Sequence, residues 1–173
     1  EMSRGLGDVY RRQRQEAARN AEYQHMGTTL VCAVARSDMA IIGNIGDSRA
    51  YHITPEGIFQ ISRDHSVVEN MVAKGDLTPL EARTHPNRNL ITRALGPDIH
   101  AKADTFELPW HKDEFLLLCS DGLVNTVSDQ EMLFEVLHDG DVNECLDHLL
   151  QISLQRGAPD NITAVLLLNE EGR

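Results

Sequence analysis

The run Met39-Ala40-Ile41-Ile42-Gly43-Asn44-Ile45-Gly46-Asp47-Ser48-Arg49-Ala50-Tyr51-His52-Ile53-Thr54 decides the fold class. It holds two short apolar or β-branched stretches, Met39 to Ile45 and Ala50 to Thr54, on either side of Gly46-Asp47-Ser48, which is the composition of two strands and a turn. Working outward, Thr28 to Ala35 precedes them across Arg36-Ser37-Asp38, and Ile58 to Ser62 follows across Pro55-Glu56-Gly57. The second connection is a hairpin turn, since proline presets the first turn angle. The four stretches read as an antiparallel meander.

Beyond the meander the period lengthens. Ser66 to Lys74 fits a short helix ended by Gly75, and Thr78-Pro79-Leu80-Glu81 is a capping box with proline in the first helical position, opening a second helix that ends near Arg83. A polar stretch without apolar period, Thr84 to Asn89, comes next. Phe115 to Ser120 has the continuous apolar composition of a strand buried on both sides. Ser128-Asp129-Gln130-Glu131 is another capping box, for a helix through Leu137, and Asp141 caps a helix whose stripe is Val142, Cys145, Leu146, Leu149 and Ile152, closed by Gly157. Ile162 to Leu168 is the last strand. At the other end, Leu6, Val9, Tyr10, Ala17, Ala18 and Ala21 predict a surface helix to about Tyr23. Strands first, then helices, then a closing strand give an α+β fold with helices on the faces of antiparallel sheets.

The 173 residues suffice for one domain with one core. With 16 Lys+Arg against 27 Asp+Glu the net charge is -11, a field that repels phosphate backbones and anionic lipid headgroups, so neither nucleic acid nor a membrane is an expected partner. The chain carries no stretch of membrane-helix length and no signal-peptide layout, and a cytoplasmic location is the expectation. Cys32, Cys119 and Cys145, odd in number and set in apolar stretches, read as reduced core residues.

Three aspartates share one context. Asp47 follows the strand ending at Ile45, Asp121 follows Phe115 to Ser120, and Asp160 precedes the strand from Ile162, each beside glycine or proline. Singly they suit turns; as a set they suit a hard divalent cation, which takes several oxygen ligands. Arg83, Arg88 and Arg93 form a local positive excess in the inserted segment, fit either to meet a phosphate or to pair with Glu69, Asp76 or Glu81. Asp64-His65-Ser66 is not a triad, because sequence neighbours do not converge, and Ser66 is simpler as a helix cap. Gly46-Asp47-Ser48-Arg49-Ala50 misses the nucleophile elbow, and the eight histidines lack the i, i+4 spacing of a zinc helix.

Taken together and in order, Gly27-Thr28-Thr29, Asn44 to Tyr51, Arg63-Asp64-His65-Ser66, Leu90 to Gly96, Leu117 to Leu123 and Gly157 to Thr163 resemble the metal-dependent protein serine/threonine phosphatases of type 2C, the PPM family, and bacterial members most. The resemblance implies a four-layer α-β-β-α sandwich of two antiparallel sheets, with a dinuclear Mn2+ or Mg2+ site at one end. It implies Asp121 and Asp160 as metal ligands, Asp47 as ligand of a third, weaker ion, residues 66–96 as a flap beside the site, and Arg83 and Arg88 in that flap as substrate-binding groups. The implied reaction is hydrolysis of phosphoserine or phosphothreonine by a metal-activated water, on phosphoproteins made by a serine/threonine kinase.

One departure accompanies the match. The family carries an Asp-Gly-x-Gly-Gly segment that holds both core metals, whereas here Asp-Gly occurs only at Asp121-Gly122 and Asp139-Gly140, neither followed by x-Gly-Gly. With the chain starting at Glu1-Met2 in a helical pattern, the expectation is a single, N-terminally truncated phosphatase domain over 1–173 that is inactive alone. The alternative is a catalytically dead phosphatase-like domain kept for regulation or binding.

Overall fold

The computed structural model describes residues 15, 19–20, 23, 26–96, 101–138 and 141–171. The helix expected up to Tyr23 lies almost wholly outside them, although Gln15 and Arg19 are helical.

Among the described residues, seven strands form two antiparallel sheets. β1 (Leu30–Ala35), β2 (Met39–Ile45) and β5 (Asp104–Pro109) make a three-stranded sheet in the order β1-β2-β5. β3 (Arg49–Thr54), β4 (Gly57–Gln60), β6 (Phe115–Cys119) and β7 (Ala164–Leu168) make a four-stranded sheet in the order β4-β3-β6-β7. The continuous meander expected from the sequence is therefore two hairpins in different sheets. β1 and β2 pair, β3 and β4 pair, and the chain changes sheets at Gly46-Asp47-Ser48. The cause is local: Gly46 has φ +105, and a Cβ there would lie 2.3 Å from Thr29 Cγ2, so the turn presses against the chain entering β1 and β3 departs from β2.

Period-two alternation sorts side chains between two cores. Ala50 and Leu116 face Ala40, Ile42, Leu108 and Trp110 between the sheets. Tyr51, Ile53, Leu117 and Cys119 face the other way, onto Met132 and Val136 of α4 (Asp129–His138) and Cys145 and Leu149 of α5 (Val142–Gln155). The predicted α5 stripe is thus the buried one, and none of the three cysteines is in a disulfide, with Cys119 and Cys145 buried. Burial pushes the Cys119 thiol up to about 12. Among the described residues the layers run sheet, sheet, helix, and the outer face of the three-stranded sheet shows Val34 and Ile41 to solvent.

Two further helices fill the insertion between β4 and β5. α1 (Val67–Lys74) is capped by Ser66, whose side chain accepts from Glu69 N, and ends at Gly75 with φ +81. α2 (Pro79–Thr84) has the predicted capping box, with Thr78 and Glu81 bonding reciprocally. A single turn, α3 (Asp121–Val124), follows β6. No helix among the described residues is long and apolar enough to cross a membrane.

Candidate active site

Strand register brings the three aspartates to one end of the sandwich. Arg49 at the start of β3 pairs with Cys119 at the end of β6, which pairs with Ala164 at the start of β7. Asp121 and Asp160 therefore leave or approach neighbouring strands at one edge, and the sheet-changing turn adds Asp47 from the other sheet. All three line a cleft of about 1010 Å³, and so do Arg83 and Arg88 from the α1–α2 insertion.

The Asp121 and Asp160 segments are stitched together. Ser120 N donates to Thr163 O at 2.9 Å, Thr163 N donates to Ser120 Oγ at 3.0 Å, and Ser120 Oγ donates to Asn161 O at 3.2 Å. Gly122 permits the approach, having no Cβ to strike the Asn161 carbonyl. Electrostatics agree with geometry: burial raises the Asp121 carboxyl above its ordinary value and the Asp160 charge adds to it, while burial and then the Asp121 charge raise Asp47. Two carboxyls, Asp47 and Asp121, whose ionisation is disfavoured by burial and by a neighbouring carboxylate form a site that a cation would relieve.

The donor chemistry, hard carboxylate oxygens from three chain segments, suits Mg2+ or Mn2+. The described residues do not close a cage, since no three His, Cys, Asp or Glu side chains among them gather closely enough to hold an ion. These aspartates fit such a cation as part of a ligand set.

The cleft's cations divide by partner. Arg49 donates to both oxygens of Asp64, at 2.7 to 3.1 Å, and to Tyr51 Oη at 3.0 Å; Gln60 Nε2 also donates to Asp64. Arg156 is engaged by Glu131 and Thr126 O. The ion pairs considered for the insertion fall elsewhere, because Arg93 pairs with Asp104 and Glu69 with Arg63. Arg83 and Arg88 have no ion-pair partner among the described residues and stand exposed on the cleft. Sequence reading missed Arg49, Asp64 and Gln60 as cleft residues. Arg49 and Asp64 stood in plain view in the quoted motifs, but their pairing depends on the β3–β4 hairpin returning the chain.

The insertion is closed at its base. Val67 N donates to Leu90 O, Thr92 N to His65 O, and Thr28 and Leu95 exchange both backbone bonds.

Two sheets whose coincident ends gather carboxylates in a cleft, with a helical insertion supplying free cations, define the class, and the family profile for Protein phosphatase 2C matches residues 2–166: the chain belongs to that family. It is 36% identical over 151 residues to the serine/threonine phosphatase stp of Listeria monocytogenes, covering 86% of this chain and 60% of that protein. Among solved structures it resembles serine/threonine phosphatase Stp1 from Staphylococcus aureus, with TM-score 0.87 and 41% identity over 93% of this chain and 63% of that one. It also resembles the catalytic domain of the serine/threonine protein phosphatase PstP in complex with two manganese ions, with TM-score 0.81 and 30% identity over 91% and 65%. The chain spans about three fifths of the length of the curated relatives it matches.

Proposed function

We propose that the cleft hydrolyses phosphoserine and phosphothreonine in proteins, in a divalent-cation-dependent reaction. The observation that carries this reading is the convergence of Asp47, Asp121 and Asp160 on the cleft that Arg83 and Arg88 also line. Asp160 would hold the first and Asp121 the second of two core Mn2+ or Mg2+ ions, and Asp47 with Asp121 a third, weaker one. Bound there, the cations supply positive charge at the phosphoryl group and acidify water.

The chain's own residues do the rest. The Ser120 bonds to Asn161 and Thr163 keep the two ligand segments in register. Asp64 holds Arg49 in a two-pronged grip, which removes that guanidinium from competition for phosphate. Arg83 and Arg88 then bind the phosphorylated segment, and residues 66–96 act as the flap that presents it. The domain is a single phosphatase unit, cytoplasmic, whose substrates are products of a serine/threonine kinase. We include in the proposal that the 173 residues by themselves are inactive, since they contain no Asp-Gly-x-Gly-Gly segment.

The test is manganese-dependent release of phosphate from a phosphothreonine peptide by the full-length gene product, lost in Asp121→Asn and in Asp160→Asn. Turnover that survives both changes sinks the reading. A regulatory or binding domain without catalysis is the second reading, favoured by the absence of a three-ligand group among the described residues. Calorimetric titration with Mn2+ separates the two, because the regulatory reading expects no tight binding step.

A further inference from the structure

One histidine outside the carboxylate cluster makes contacts on both sides of the flap base. His65 is 7% exposed and lies between β4 and α1. Its backbone N donates to Gly46 O at 2.8 Å, and its carbonyl accepts from Thr92 N at 2.7 Å, so it touches the Asp47 turn and the returning end of the flap at once. The ring repeats this pattern. Gly46 N donates to His65 Nδ1 at 3.0 Å, and His65 Nε2 lies 3.1 Å from Asp104 Oδ2. A backbone N–H only donates, so Nδ1 must offer its lone pair, and the neutral ring carries its proton on Nε2, aimed at the carboxylate. Asp104 is fixed in turn by Arg93 Nη1, which donates to Asp104 Oδ1 at 2.6 Å and to Lys102 O at 2.9 Å.

The result is a continuous line of hydrogen bonds from Arg93, two residues past the flap's Ile91–Ser66 bridge, through Asp104 and the imidazole to the amide beside Asp47. Both polar backbone groups of Gly46 bond to this one residue. The Gly46 backbone has φ +105 and no room for a Cβ beside Thr29, and Asn44 Nδ2 also donates to Gly46 O at 3.4 Å; among these contacts only those of His65 lead on to the flap.

We propose that His65 is a positioning residue that couples the flap to Asp47: the attachment of the flap base and the placement of that carboxylate are set by the same ring, with Asp104 and Arg93 holding its tautomer. The functional half rests on the reading of Asp47 as a site carboxylate. A phosphoprotein that docks on the flap and draws Arg93 away from Asp104 would then loosen the Asp47 turn from a distance, and one that presses the pair together would tighten it.

Nuclear magnetic resonance of the full-length protein tests this without measuring turnover. Long-range proton–nitrogen spectra should show His65 protonated on Nε2 and unprotonated on Nδ1; the opposite tautomer overturns the proposal. Amide exchange at Gly46 should quicken roughly tenfold in Asp104→Ala and in Arg93→Ala, the loss of one ordinary hydrogen bond, although neither side chain touches that amide. Exchange unchanged in both variants overturns the coupling. His65→Asn can place an oxygen where Nδ1 stands and should recover Gly46 protection, whereas His65→Gln reaches toward Asp104 and should not. Equal loss in the two means that His65 only fills space, and it overturns the proposal. If either fails to fold, the Asp104 and Arg93 variants decide. Manganese-induced broadening at Asp47 in the wild-type protein reads the other half. Its absence with the exchange effects intact removes Asp47 from the site and overturns the functional half; its presence with unchanged exchange overturns the coupling alone.

Discussion

A Cβ added to Gly122 would lie 2.3 Å from the carbonyl oxygen of Asn161 and 3.0 Å from its carbonyl carbon. The residue after Asp121 and the residue after Asp160 are therefore in backbone contact, and the two carboxylates owe their proximity to a missing side chain. Gly122→Ala must push these segments apart. Overpacking of this kind costs about 1–3 kcal/mol, which for a chain of this size lowers Tm by roughly 2–4 °C per kcal/mol. Thermal unfolding with and without Mn2+ should show a lower Tm and a smaller stabilisation by the ion. A variant that keeps both would mean that the Asn161 loop yields freely.

Asp47 and Asp121 are held above the ordinary carboxylate range, by burial first and by neighbouring carboxylates second. A folded-state pKa above the unfolded value means that the native state binds the proton more tightly, so stability falls as pH rises from about 3.9 through the raised native value and stays reduced above it. Asp47→Asn and Asp121→Asn remove that ionisation cost. In chelator at pH 7 each variant should melt higher than the wild type, with the gap closing toward pH 4. Equal melting temperatures across that range would show that the carboxylates are not strained by their surroundings.

Arg83 and Arg88 are exposed and have no ion-pair partner among the described residues, so replacing them should leave stability within about 0.5 kcal/mol. Hydrogen bonds to charged groups contribute about 1.5–3 kcal/mol, and the double Arg83→Ala, Arg88→Ala variant should weaken binding of a phosphoserine peptide by roughly tenfold or more. The unphosphorylated peptide should bind both proteins alike, and added salt should shrink the difference. Affinity for the phosphopeptide that survives the double change removes these two residues from the site.

A polypeptide of these 173 residues alone should not turn over a phosphothreonine peptide at any Mn2+ concentration, because its described residues bring no three candidate ligands together. Measured phosphate release above the uncatalysed rate would show that the carboxylates present suffice.

Much of this architecture was legible in the chain because it is fixed locally. Caps at Ser66 and Thr78, the Ser128–Glu131 box and the Asp141 cap need only neighbours in sequence, and all four form as read. Strands β1 to β4 follow from β-branched runs between turn residues. β5 escaped notice although Phe106, Leu108 and Trp110 alternate, because it opens on Asp104 and closes on Pro109, residues that strands rarely favour. Only pairing with β2 makes that segment a strand. The change of sheet at Gly46 was illegible for a related reason: a turn within a hairpin and a turn between sheets use the same residues, and the difference lies in contact with Thr29, far away in sequence. The three aspartates could be singled out by context, but their meeting needed the register of Arg49, Cys119 and Ala164.

The placing of Asp47 on the corner between the sheets ties its position to the gap between them. That gap is filled in part by two of the smallest side chains available, Ala40 and Ala50, both fully buried. A larger side chain at either site would widen that gap, at the stability cost that overpacking carries, and would move the corner that bears Asp47. A methyl group gained in the interior would thus be felt at the cleft as well as in the core.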